Sequence, residues 1–204
     1  MKQANIHLMR HGQPQGCLPR RFLGQLDAPL DDTGQAQARA WRESWGPGRF
    51  RQIYCSDLAR SLETARVIAG QGADLRVLPG LRELHLGRWQ GMTVDEVMAA
   101  HPQAYRERRE NLETYRPPGG ESFGDLRTRV LPVFEQIRAT AEGDILVVAH
   151  SGVNRVILCQ VLGMPLPRLL RLGQDYAALN LLEVRGGEVT LRVLNQAPPS
   201  SRAK

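Results

Sequence analysis

The chain has 204 residues, 42% of them hydrophobic and 24% charged, and a formal net charge of +6. That length and balance fit one domain with a substantial core and exclude disorder over any large part. The positive charge argues for an anionic ligand; because the basic residues are nearly all arginine, are spread along the chain and do not interleave with aromatics, they argue against nucleic acid as that ligand.

In chain order, NIHLMR (5–10) reads as a short apolar strand that runs straight out of MKQAN, with no apolar leader of the secretory kind. The loop GQPQGCLPRRFLGQLDAPLDD (12–32) is long enough to suggest function rather than mere connection. Thr33 is placed to cap a helix over 33–45, and QIYCS (52–56) reads as a strand. Asp57 opens a helix over 57–70, in which Leu58, Leu62 and Ala65 recur at helical spacing. LRVLP (75–79) is a third strand, followed by the loop LRELHLGRWQG. Two helical stretches lie between Thr93 and Tyr115, broken at Pro102, and YRPPGGES is a loop. Residues 122–141 read as a longer helix. DILVVAH (144–150) is continuously apolar, as a strand covered on both faces should be. A helix beginning SGVNR follows it, and ALNLLEV and EVTLRVLN close the chain as strands around RGGE.

This alternation predicts an α/β fold, a three-layer αβα sandwich whose mainly parallel sheet carries helices on both faces. The expected organisation is a single domain over 1–195, with residues 92–121 a helical insertion covering the site, and a flexible tail over 196–204, QAPPSSRAK. Cys17, Cys55 and Cys159 are odd in number and form no CxxC pair, so neither a disulfide framework nor a zinc site is expected. A reducing compartment fits them. With no segment of transmembrane length, the expected location is cytoplasmic and away from any membrane.

In sheets of this kind ligands lie beyond the carboxyl ends of the strands, where RH, SDLAR, LRE and AHSG all fall. A lone histidine at a strand end is usually a hydrogen-bonded structural residue. Here His11 and His150, from opposite ends of the sequence, each leave an apolar strand at the same sheet edge. Arg10 and Arg60 would clamp a tetrahedral oxyanion with paired N–H donors, and the backbone N–H groups at Ser151 and Gly152 open a helix beside it. Glu83 could then protonate a departing alkoxide, a contribution of roughly two to four orders of magnitude. With no DxD, Walker A or HExxH pattern, no metal and no cofactor is expected.

Taken in order, LMRHG, SDLARSLETA, LRELHLGRWQG and VVAHSG resemble the histidine phosphatase superfamily, which contains cofactor-dependent phosphoglycerate mutases and many small phosphatases. The resemblance spans residues 6–195. It implies a phosphoglycerate mutase-like fold and phosphomonoester hydrolysis through a phosphohistidine. His11 is implied as the nucleophile, Arg10, Arg60 and His150 as the phosphate pocket, and Glu83 as the proton donor that later activates water. Arg21 and Gly24 also match the family's pattern. The chain departs from it at Gln13, at Pro14 and at position 17, where Cys17 stands in place of an asparagine that bonds the phosphate.

Mutases of the family use a tyrosine and a lysine where this chain has Leu86 and Val94, which favours hydrolysis over transfer between hydroxyls. The GRWQG and PPGGES loops resemble the branch that includes α-ribazole-5′-phosphate phosphatase of cobalamin assembly. On that resemblance Arg88, Trp89, Glu121 and Ser122 join Arg21 and Gly24 as candidate substrate contacts. Core packing for Trp89, and a turn with a helix cap for Glu121 and Ser122, are the competing readings. The expected partner is a small phosphorylated metabolite, and the sequence leaves open whether the protein is a monomer or a homodimer.

Overall fold

The computed structural model describes residues 3–70 and 74–199. Its strands are β1 (Gln3–Arg10), β2 (Gln52–Cys55), β3 (Leu75–Val77), β4 (Gly143–Ala149), β5 (Leu179–Arg185) and β6 (Glu188–Gln196). They form one sheet in the order β3-β2-β4-β1-β5-β6. β1, β2, β3 and β4 run parallel, whereas β5 and β6 join antiparallel at one side. The helices are α1 (Asp32–Trp45), α2 (Ala59–Ala69), α3 (Val94–Ala100), α4 (Pro102–Glu110), α5 (Phe123–Thr140) and α6 (Ser151–Val161).

The middle of β4 is continuously apolar because it faces a core on both sides. In β4, Ile145, Val147 and Ala149 pack with the Leu126, Val130 and Phe134 face of α5 and with Val153 and Ile157 of α6. Leu146 and Val148 point the other way, onto Trp41 of α1 and Ala65 and Ile68 of α2. This two-sided burial makes the three layers.

Local chemistry moves several boundaries. α1 starts one residue before Thr33, because the Asp31 side chain accepts the Gly34 N–H at 2.8 Å and caps it. α2 starts at Ala59 rather than Asp57: Asp57 is taken by Arg82, and Asp27 accepts the Ala59 N–H at 2.7 Å. The third strand ends at Val77, and Pro79 begins a 3₁₀ turn. The expected tail starts one residue too early, since Gln196 pairs with Leu179 in the sheet. Residues 197–199 have no regular structure, and the rest of the proposed tail, 200–204, lies outside the described residues.

For function, the decisive feature is register. β1 and β4 are adjacent and parallel, with Arg10 opposite Ala149. The next residue of each strand is therefore a histidine, and the two come out side by side.

Candidate active site

His11 and His150 lie with ring centroids 5.0 Å apart, 3% and 0% exposed. The His11 backbone N–H donates to Ala149 O at 3.0 Å, so the turn leaving β1 is stitched to the end of β4. The His11 Nδ1 lies 2.7 Å from Gly12 O and donates to it, which leaves the proton off Nε2. That Nε2 accepts from Arg60 Nε at 3.2 Å. Burial, then the charges of Arg60 and Arg10, hold the His11 pKa well below the ordinary imidazole value, and His150 is lowered in the same way by burial, Arg60, His11 and Arg10. Both rings are neutral at physiological pH.

Gly12 permits this turn. A Cβ there would stand 2.7 Å from Gly34 O, so only glycine lets the loop after His11 lie against the start of α1. Its N–H donates to Thr64 Oγ1 at 3.0 Å, and Thr64 sits one helical turn beyond Arg60, to whose carbonyl it donates.

Arg60 is 1% exposed and locked. NH1 donates to Leu26 O at 2.7 Å and NH2 to Gly24 O at 2.6 Å, which gives Gly24 its place in the site through its carbonyl. Arg10 donates from NH1 to Gln174 O at 2.6 Å, and its guanidinium carbon lies 3.8 Å over the Tyr176 ring. Its Nε is buried with no partner among the described residues, as is His150 Nδ1. Buried polar groups in folded proteins are almost always paired, so these two orphans beside buried guanidiniums are donors that an anion accepting hydrogen bonds would satisfy.

Glu83 faces this pocket from the loop after β3. Its Oε1 accepts the Leu84 N–H at 2.9 Å, and both carboxylate oxygens lie 3.1 Å from the Gly152 nitrogen at the start of α6. Ser151, the first residue of α6, lines the cavity and receives Arg155 NH1 on its hydroxyl. The N-terminus of α6 is thus pointed at the site, as a helix end that favours negative charge should be.

The cavity around these groups measures about 750 Å³. Arg10, His11, Arg60, Glu83, Ser151, Arg21 and Gly24 line it, with His150 buried just behind His11. Arg21 donates from NH1 to Gly91 O at 3.0 Å. From residues 92–121, Val94, Tyr105, Arg108 and Arg109 reach the cavity.

Four sequence candidates do not reach it. Trp89 is 1% exposed and packs in the core with its ring 5.7 Å from Phe22 and 5.8 Å from Tyr115, because its apolar area outweighs its single N–H. Arg88 is exposed and lies outside the lining. Ser122 is the N-cap of α5 in a reciprocal capping box with Asp125. Glu121 is bound by Arg129 at 2.8 and 3.0 Å and accepts the His85 N–H, so it braces the loop that carries Glu83. Conversely, Ser56, Gln174, Tyr176, Arg108 and Arg155 belong to the site surroundings and were not among the candidates. Only Ser56 carried a signal, as the first residue of SDLAR.

Cys17 is 7% exposed and lines the cavity. Among the described residues no group of three or more His, Cys, Asp or Glu side chains is arranged around a metal position, and no helix is long and apolar enough to cross a membrane.

Fold and site together define an α/β enzyme with paired imidazoles and two buried guanidiniums gathered at the carboxyl ends of β1 and β4. The chain belongs to the histidine phosphatase superfamily (branch 1), whose family model it matches over residues 6–197, and it is a phosphatase-type enzyme. It is 35% identical over 174 residues to the glucosyl-3-phosphoglycerate phosphatase of Mycolicibacterium vanbaalenii, covering 81% of this chain and 77% of that one. To the adenosylcobalamin/alpha-ribazole phosphatase of Salmonella typhimurium it is 26% identical over 192 residues, 93% and 95% of the two chains. A solved mycobacterial glucosyl-3-phosphoglycerate phosphatase in complex with VO3 matches with a TM-score of 0.84 at 31% identity, over 97% of this chain and 100% of that one.

Proposed function

We propose that the protein is a metal-independent phosphomonoester hydrolase that works through a phosphohistidine on His11. The observation that carries this reading is the His11 ring itself: neutral, with its proton committed to Gly12 O and its Nε2 lone pair beside two guanidiniums. When a phosphoryl oxygen takes the Arg60 donor, that lone pair is released to attack phosphorus. The ester P–O bond breaks, and the Glu83 carboxyl gives its proton to the departing alkoxide. The Glu83 carboxylate then takes a proton from water, whose oxygen displaces His11 and releases inorganic phosphate. Arg10 and Arg60 match the two negative charges of the phosphate throughout.

The remaining arginines of the cavity support a substrate class. Arg20, Arg21, Arg108, Arg109 and Arg155 line it beyond the phosphate pocket, and Asp175 is the one carboxylate besides Glu83 in that lining. The Arg108 side chain makes no hydrogen bond or ion pair among the described residues, and its guanidinium carbon lies 5.5 Å from the Phe22 ring and 5.7 Å from that of Phe123. A leaving alcohol that itself carries an acid group fits these walls better than a neutral one such as α-ribazole. Leu86 and Val94 line the same cavity as apolar groups, which supports release of the phosphate to water over its transfer to a second hydroxyl. The three cysteines are free and buried, in keeping with a reducing cytoplasmic location.

Brief exposure to a radiolabelled phosphomonoester followed by acid quench tests the mechanism. Acid-labile phosphate should appear on His11, and a His11→Ala protein that kept turnover would overturn the assignment. Chelation with EDTA should leave the rate unchanged, and vanadate should inhibit. The matched pair 3-phosphoglycerate and glycerol 3-phosphate, which differ in one carboxylate, tests the substrate class, with α-ribazole 5′-phosphate and phosphoserine completing the screen. Equal kcat/KM on the matched pair would count against an acidic leaving alcohol.

A further inference from the structure

We infer that Ser56 sets the tautomer of His150, donating its hydroxyl proton to Nε2 so that the ring presents Nδ1–H to the substrate's phosphoryl oxygen. The inference rests on the phosphate-pocket reading above but concerns a state of the resting protein. Ser56 is the residue after β2, 0% exposed, and its Oγ lies 2.7 Å from His150 Nε2.

His150 is neutral, so one ring nitrogen carries a proton and the other a lone pair. Two arrangements satisfy the 2.7 Å contact. In the first, Nε2–H donates to Ser56 Oγ. The serine's own proton then has no acceptor among the described residues, and the buried, unpartnered Nδ1 carries a lone pair that would repel a phosphoryl oxygen rather than bind it. In the second, Ser56 Oγ–H donates to Nε2. The hydroxyl proton is then satisfied, and the remaining buried atom without a partner is an Nδ1–H donor. Removing a buried polar orphan and matching the charge of the ligand both favour the second arrangement.

The surroundings keep Ser56 in this role. Its backbone N–H donates to Ser61 Oγ at 3.1 Å, and Ser61 Oγ donates to Val148 O at 2.8 Å on the strand that ends in His150. Two serines five residues apart thus tie the end of β2 to the end of β4. His150 needs no charge to serve as a donor, which suits a pocket already holding Arg10 and Arg60. Ser56 is a positioning residue, acting on the substrate only through His150.

The tautomer is read directly by long-range proton–nitrogen correlation NMR on protein labelled with ¹⁵N-histidine, without substrate. The expected spectrum gives His150 a pyrrole-type Nδ1 and a pyridine-type Nε2. The opposite assignment in the wild-type protein overturns the inference whatever its activity. Ser56→Ala should shift His150 toward the Nε2–H form and lower kcat/KM by roughly a hundred- to a thousandfold, as loss of one preorganised donor to the transferring group does. Ser56→Thr, which restores the hydroxyl, should recover both tautomer and rate. Should Ser56→Thr fail to fold, the wild-type spectrum still decides. Failure of the phosphohistidine reading would show separately, as absence of acid-labile phosphate with the tautomer unchanged.

Discussion

Both carboxylate oxygens of Glu83 lie 3.1 Å from the backbone nitrogen of Gly152, and a Cβ on that glycine would stand 2.4 Å from Glu83 Oε1. The proposed acid is therefore seated by a glycine from the helix that follows His150. Gly152→Ala should displace it, and displacement of about 1 Å from productive geometry costs roughly a hundredfold. Turnover of alkyl phosphates should fall on that scale, with much less loss on nitrophenyl phosphate, whose leaving group needs no proton. Glu83→Gln should show the same split with normal folding. Equal losses on both substrates would place the defect elsewhere than in proton donation.

Arg10 is held between Gln174 O and the Tyr176 ring. Tyr176→Leu removes the aromatic face at similar volume and should weaken vanadate inhibition by roughly three- to thirtyfold, the span of a desolvated cation–π contact. Tyr176→Phe should stay within about twofold of wild type, since the ring and not its hydroxyl covers the guanidinium. Measured inhibition constants decide; a Phe variant as weak as the Leu variant would transfer the role to the hydroxyl.

Three buried histidines, His7, His11 and His150, have pKa values lowered from 6.5, in each case chiefly by burial. Each binds its proton more readily in the unfolded chain than in the fold, so the stability this represents is fully present above 6.5 and is lost as pH falls from there toward the lowered values. The melting temperature should therefore decline between pH 7 and about pH 5, below the ordinary imidazole value. For the same reason the acid limb of kcat/KM, which reports the free His11, should lie below 6.5. A melting temperature independent of pH across that window would contradict the neutral assignment.

Ser122 caps α5 and Glu121 braces the Glu83 loop through Arg129. Ser122→Ala should cost about 1 kcal/mol of stability and leave kcat/KM unchanged. Glu121→Gln, by loosening the Arg129 clamp on the Gly80, Arg82 and Glu83 carbonyls, should lower kcat on alkyl phosphates through the acid. Thermal melts alongside kinetics on both substrate types separate the two. An increase in KM alone for Ser122→Ala would restore it as a substrate contact.

The strands, the helices and the five principal side chains were legible in the sequence because each depends on local pattern. An unbroken apolar run marks a strand covered on both faces, and a polar residue directly after it marks the strand end. The departures came where a side chain from far along the chain outbid a near one. Asp27 took the first free N–H of α2, so Asp57 was left to Arg82. Trp89 and Ser122 sit in the family's loops, but their area and their capping geometry were satisfied inside the fold before the cavity could use them.

Composition and periodicity by themselves determined a two-sided sheet and two imidazoles at strand ends, and argued for an anionic ligand, since those follow from residue type and spacing alone. Only the tertiary structure decided that β1 lies beside β4 in a register that sets the rings 5.0 Å apart. It also brought Tyr176 to the His11 ring, Ser56 to the His150 ring and the Gln174 carbonyl to Arg10. The Arg10 contact joins residues 164 apart, and no local pattern encodes such a meeting.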